Sequence, residues 1–243
     1  LIGDWHIYQR KGGHRTSTDD LITAWYAVHR NPRPPARYLD LGCGVGSVML
    51  MVCHKLRPES ATGIEAQSQS VAMAQRAIAE LGARDVETMR VQQGDFRSID
   101  WGDHGYDLVT ASPPYFPLDA GVLPDDPQRR ACRFEARGGV EAYLGAARRA
   151  LSDGARLYMV FQTRGHARVL DAATQEGLHL TGQADFLMRS DRQGPFLSVF
   201  EFARRPSAEV HRFRCAVRDA HGDITAAYQA IRDELMAARR TRD

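Results

Sequence analysis

"RYLDLGCGVGSVMLMVCHKL", residues 37–56, decides the fold. "RYLDL" reads as a strand, "GCGVG" as a glycine-rich turn and "SVMLMVCHKL" as a helix. The alternation continues outward. "SATGIEA" (60–66) is a second strand, and Val71, Ala74, Ile78 and Leu81 mark a helical stripe within 68–82. "VETMRVQQGD" (86–95) is a third strand with its exit turn, and "YDLVTAS" (106–112) is a fourth. "VEAYLGAARRAL" (140–151) is a helix stopped by Asp153-Gly154, followed by the strand "ARLYMVF" (155–161). Repeated strand–helix–strand order predicts an α/β, doubly wound, mostly parallel sheet covered on both faces. "LHLTGQADFLMRS" (178–190) and "PFLSVFEFAR" (195–204), separated by "DRQG", predict an antiparallel pair at the sheet edge. "EVHRFRCAVRD" (209–219) is a further exposed strand, and Ile224, Ala227, Tyr228, Ile231 and Leu235 mark a closing amphipathic helix. Residues 117–138 show little periodicity and read as a long irregular loop, a feature that is often functional.

The chain of 243 residues, 43% hydrophobic and 26% charged, fits one domain over 1–243, with a core from residue 37 and a preceding segment, 1–36. No apolar run approaches the ~18 residues of a membrane span, and no secretory pattern is present. Cys43, Cys53, Cys132 and Cys215 form neither a C-x-x-C pair nor a Cys/His cluster with zinc spacing, so no metal is expected. Four thiols suit a reducing, cytoplasmic setting. The net charge is only +2, which does not demand a nucleic-acid partner. Lys11 and Lys55 are the only lysines; the other cations are arginine, suited to phosphate forks, although a GC-rich genome produces the same bias. His6, His14, His104 and His166 carry no usable spacing and read as surface or local hydrogen-bonding groups.

Chemistry concentrates in two places. In "DLGCGVG" (40–46), Gly42, Gly44 and Gly46 permit a tight turn and close approach of a ligand to the backbone. Glu65 ends the next strand, where a carboxylate can accept from two ribose hydroxyls. The third glycine comes one residue too early for the dinucleotide form G-x-G-x-x-G. Asp40 has two readings: it fixes the turn, or it accepts from a cationic amino group. In order, "DLGCGVG", "GIEA" and "GDF" resemble the class I S-adenosylmethionine-dependent methyltransferases, which implies their Rossmann-like fold and S-adenosyl-L-methionine as cofactor. The resemblance places Glu65 and Ala66 at the ribose, Asp95 at the adenine amino group and Phe96 beside the ring.

The second place is "ASPPYF" (111–116), at the end of the fourth strand, on the rim where ligands bind open parallel sheets. It resembles the N-P-P-Y motif of methyltransferases that act on a planar amino or amide nitrogen. Such a nitrogen is a poor nucleophile because its lone pair is delocalised. Acceptors on its hydrogens bias it towards a pyramidal, attacking form, and the Ser112 hydroxyl and the Pro113 carbonyl can supply them. Pro113 and Pro114 fix that geometry, and Tyr115 can stack on a flat target, with Phe116 beside it. Serine replaces the commoner asparagine, which leaves the target base open.

"QRKGGHRTSTDDLITAWYA" (9–27) extends the resemblance to the bacterial methyltransferases that modify the N6 amino group of the adenine beside the anticodon of valine tRNA. The match includes Arg15, Thr18 and Asp19, and implies that this segment closes over the cofactor. Helix capping by Thr18 and Asp19 is the alternative. The resemblance runs on through the arginine loop and the tail "VRDAHGDITAAYQAIRDEL" (217–235). It implies a tRNA partner, with Arg129, Arg130 and Arg133 on phosphates, unless those arginines pair with Asp125, Asp126 and Glu135 to stiffen the loop. Three rivals stand: a glutamine-amide methyltransferase of the release-factor-modifying type, a DNA amino-methyltransferase, and an inactive cofactor-binding homologue.

Overall fold

The structure, a computed structural model, describes residues 2–13, 15–102 and 105–237. Among them, eight strands make one sheet in the order β3-β2-β1-β4-β5-β7-β6-β8. β1 is Arg37–Leu41, β2 Ser60–Glu65, β3 Met89–Gln93 and β4 Tyr106–Ala111. β5 is Leu151–Gln162, β6 His179–Arg189, β7 Leu197–Ala203 and β8 His211–Arg218. β1 to β5 pair in parallel. β7 runs against both β5 and β6, and β8 lies parallel to β6 at the far edge.

Burial on both faces follows from strand alternation. On β4, Leu108 joins one core and Val109 the other; on β1, Tyr38 and Leu39 divide in the same way. One face is covered by α1 (Thr18–Arg30), α2 (Ser47–Leu56), α3 (Ser68–Ala79) and α8 (Ala226–Met236), whose buried residues fall in the first core. The other face is covered by α6 (Val140–Ala150) and α7 (His166–Gln175). Short helices α4 (Ala83–Thr88) and α5 (Pro127–Arg133) complete the set.

Four local readings change. Val86 to Thr88 belong to α4, so β3 starts only at Met89. The long loop contains α5, whose first turn is closed by the Asp126 side chain accepting from the Arg129 amide, with Pro127 at its first position. Asp153-Gly154 does not stop α6. Leu151 already pairs with Tyr106, and residues 152–155 are looped out before Arg156 pairs with Leu108, with Gly154 at φ +84°. α7 had no sequence reading; its buried side is mostly short, with Val169, Ala172 and Ala173, so its stripe is faint. His14 and His104 lie outside the described residues.

Candidate active site

β1, β2 and β4 end on the same rim, and a cavity of about 590 Å³ opens there. Its floor is the turn after β1. Gly42, Gly44 and Gly46 all have positive φ (66°, 55° and 83°), a conformation that costs other residues ~1–2 kcal/mol. A methyl group on Gly42 would meet the Tyr143 hydroxyl at 2.5 Å, whereas one on Gly44 would meet nothing within 4 Å. Gly44 therefore leaves room on the cavity wall. Glu65, buried at the end of β2, accepts from the Gly44 amide (3.0 Å) and the Gln67 amide (2.7 Å). These bonds lock its carboxylate at the cavity edge and leave further lone pairs for hydroxyl donors. Ala66 lines the wall beside it.

Asp95 also lines the cavity, but the Arg97 guanidinium grips both its oxygens and holds its carboxyl below the usual range. Phe96 is buried, with its ring 4.4 Å from that of Tyr143 on α6. Asp40 is not among the residues that line the cavity. It stands behind the wall, where Oδ1 accepts from the Thr110 hydroxyl at 2.6 Å, tying β1 to β4. Burial pushes its carboxyl up to about 7, against the pull of the Thr110 hydroxyl and the Met49 amide.

Opposite this floor, Ser112, Pro113, Pro114, Tyr115 and Phe116 form a wall where β4 ends. The Ser112 Oγ is buried without a partner among the described residues. The Tyr115 hydroxyl donates to Asp19 Oδ2 at 2.9 Å, and its ring stands edge-on to Phe161 at 5.4 Å. Asp19 is itself oriented by the Ser17 hydroxyl. The segment before α1 is thereby tied to the "SPPY" corner, and Thr16 joins Ser47 at the start of α2 (2.8 Å). Asp20 shares this wall; burial and the neighbouring Asp19 push its carboxyl well up.

Residues 39–122 match a family model described as a methyltransferase domain. A curated relative from Tolumonas auensis, named tRNA1(Val) (adenine(37)-N6)-methyltransferase, is 26% identical over 233 residues, covering 95% of this chain and 93% of that one. One of the same name from Pasteurella multocida is 30% identical over 159 residues, 64% of each chain. Among solved structures, a predicted O-methyltransferase from Agrobacterium tumefaciens superposes with a TM-score of 0.64 at 16% identity, covering 93% of this chain and all of that one. The glycopeptide N-methyltransferase MtfA, complexed with S-adenosylmethionine, gives 0.55 at 12% identity, covering 82% and 100%. This chain is an S-adenosylmethionine-dependent methyltransferase.

The methyltransferase brings most of the residues singled out from its sequence to one cavity. Arg15, Asp19, Gly42, Gly44, Glu65, Ala66, Asp95, Phe96, Arg129, Arg133 and the "SPPYF" residues all line it. Thr18, Asp40, Gly46 and Arg130 do not. Thr18 faces Tyr228 on α8, and Gly46 caps α2. Arg130 donates from Nε to the Pro124 carbonyl at 3.0 Å, bracing the loop. The suggested pairing of the loop arginines with Asp126 and Glu135 is not what forms: Asp126 pairs with Arg10 (2.7 Å) and Glu135 with Arg168 (2.7 Å). Arg129 and Arg133 remain exposed at the cavity mouth.

Several wall residues of the methyltransferase escaped the sequence reading. Gln128 is buried, donating to the Ser70 hydroxyl (3.1 Å) and accepting from Arg10 (3.4 Å). Cys132 follows one turn later on α5, its thiol pushed up to about 12 by burial. The "DDP" at 125–127, an acidic cap ahead of a proline, was the available signal for that helix. Tyr143 and Arg137 had no such signal. No helix among the described residues is long and apolar enough to cross a membrane, and none of their His, Cys, Asp and Glu form a metal-holding group of three.

Proposed function

We propose that this methyltransferase acts on an exocyclic amino nitrogen, adenine N6 in a tRNA, in the cytoplasm. Residues 1–243 would work as one domain in which segment 1–36 covers the cofactor. The observation that carries the reading is Ser112. Its Oγ is a buried acceptor with no partner among the described residues, next to two buried prolines and on the cavity wall. A buried hydroxyl left unpaired costs ~1–3 kcal/mol, so a site that keeps one has a use for it.

S-adenosylmethionine supplies a methyl group on a sulfonium centre. Glu65, Ala66 and Phe96 would hold its nucleoside end, and the open space over Gly44 suits its close approach to the backbone. Ser112 Oγ and the Pro113 carbonyl accept the two hydrogens of the target amino group and localise its lone pair. The prolines keep these acceptors in place without reorganisation, and Tyr115, held by Asp19, fixes the plane of the base. No strong base is required of the chain, because orientation and placed dipoles supply most of the rate.

The tRNA assignment draws on the names of the curated relatives and on exposed cations at the mouth, Arg15, Arg129, Arg133 and Arg137. The test is to incubate the protein and labelled S-adenosylmethionine with total tRNA, genomic DNA and a proteome fraction, then digest and identify the product. N6-methyladenosine from tRNA is expected. Label confined to glutamine in protein, or to DNA bases, overturns the reading.

A further inference from the structure

A second basic surface runs along the edge strand β8 and reaches the same rim at Arg218. We propose that the outward face of β8, with Arg212, Arg214 and Arg218, docks the sugar-phosphate backbone of the RNA whose base enters the cavity. The inference rests on the tRNA reading.

Strand sense puts this face in the right place. β7 runs against β5 and β6 against β7, so β5, β6 and β8 point the same way. Their carboxyl ends share the rim on which β4 delivers Ser112; on β8 that end carries Arg218, with Arg214 ~13 Å and Arg212 ~20 Å back along the strand at ~3.3 Å per residue. From β4 to β8 there are four strand spacings, ~19 Å at ~4.8 Å each. No single nucleotide spans that distance, but an extended polyanion does.

Alternation makes the face basic. Phe213, Cys215 and Val217 turn inward, with Phe213 4.8 Å from Trp25 on α1. Arg212, Arg214 and Arg218 turn outward and are exposed. Arg212 donates to the Gln183 side-chain oxygen, Arg214 to the Gln193 carbonyl at 3.2 Å and Arg218 to the Gly222 carbonyl at 2.6 Å. All three acceptors are neutral. Asp185, opposite Arg214 in the β6–β8 register, accepts from Ser198 and Gln183, and Asp219 accepts from the amides of the 221–223 turn; both keep their charge, but neither is bonded to a β8 arginine, and Asp191 pairs with Arg189. Several other arginines do meet carboxylates, Arg30 and Arg156 on Glu201 and Arg168 on Glu135 and Glu141, while Arg90 and Arg130, like those of β8, bond neutral oxygens. A guanidinium has five donors, so each β8 arginine keeps a fork for a phosphate.

Charges on an edge strand also discourage edge-to-edge pairing, and the experiment separates the two roles. The triple variant Arg212→Gln/Arg214→Gln/Arg218→Gln and the single variant Arg214→Glu are titrated with total tRNA by fluorescence anisotropy across a salt series. Melting and S-adenosylmethionine titration check folding. The salt slope of the triple variant should fall by about 2, at ~0.7–0.9 for each phosphate no longer neutralised. The loss of affinity should be greater for full-length tRNA than for a hairpin too short to reach β8 from the cavity. Arg214→Glu should weaken tRNA binding on its own. Wild-type affinity and slope in both variants overturn the proposal, as does self-association of the triple variant with tRNA binding intact. If the wild-type protein binds no RNA, the tRNA reading fails first and this inference with it.

Discussion

Replacing Gly44 with alanine should cost the cofactor its seat while leaving the fold nearly intact, and Gly42→Ala should do the reverse. Both residues have positive φ, 55° and 66°, so each substitution costs ~1–2 kcal/mol in backbone strain alone. The surroundings then divide them. The new methyl at 44 meets no protein atom within 4 Å and projects at the cavity wall. The new methyl at 42 would lie 2.5 Å from the Tyr143 hydroxyl and 3.2 Å from its ring carbons. Tyr143 is buried against Phe96, so it has little room to yield, and overpacking of this kind adds ~1–3 kcal/mol. At ~2–4 °C per kcal/mol for a chain of this size, Gly44→Ala should lower Tm by about 2–8 °C and Gly42→Ala by clearly more. Calorimetric titration with S-adenosylmethionine should show at least a tenfold loss for Gly44→Ala, equivalent to ~1.4 kcal/mol. Unchanged cofactor affinity in Gly44→Ala, or equal Tm losses in the two variants, would show that the turn does not form the floor of the cofactor site.

Tyr115→Phe removes the 2.9 Å bond to Asp19, and should lower single-turnover methyl transfer several-fold with cofactor affinity unchanged; Pro113→Ala and Tyr115→Ala should lower it further. Equal turnover in all three would place the chemistry elsewhere. Asp40 gives a pH dependence. Its folded carboxyl sits at about 7 and its unfolded one in the ordinary range near 4, so the folded state binds the extra proton between them. Stability is therefore fully present below pH ~4 and lost as pH rises through about 7, by up to ~4 kcal/mol at ~1.4 kcal/mol per pH unit. Urea titrations at pH 5 and pH 8 should show a smaller drop in Asp40→Asn than in the wild-type protein; parallel drops would assign the effect to another group. Neutralising Arg129, Arg133 and Arg137 together should reduce the salt slope of tRNA binding by about 2 while S-adenosylmethionine binding is kept. An unaltered slope would leave the cavity mouth without a role in holding RNA.

The parallel sheet, the glycine turn and the position of "SPPY" were legible because each rests on local pattern: strand–turn–helix periodicity, residues that tolerate positive φ, and prolines that end a strand. The same logic placed Glu65 and Asp95 at strand ends on one rim. It did not reveal α7, whose small buried residues mimic a loop, or β5 beginning before Asp153-Gly154, because strand pairing with Tyr106 overrides the turn signal. Sequence left two readings of Asp40 and did not reveal the Thr110 hydrogen bond that holds it across β1 and β4. Partner choice among arginines was likewise invisible. Arg10 reaches Asp126 from 116 residues away, and Arg168 reaches Glu135 from 33. Local sequence fixes backbone conformation, since φ, ψ and side-chain alternation depend on near neighbours. Which charges meet, and which stay open to solvent at the rim, depends on where the closed sheet brings distant segments together.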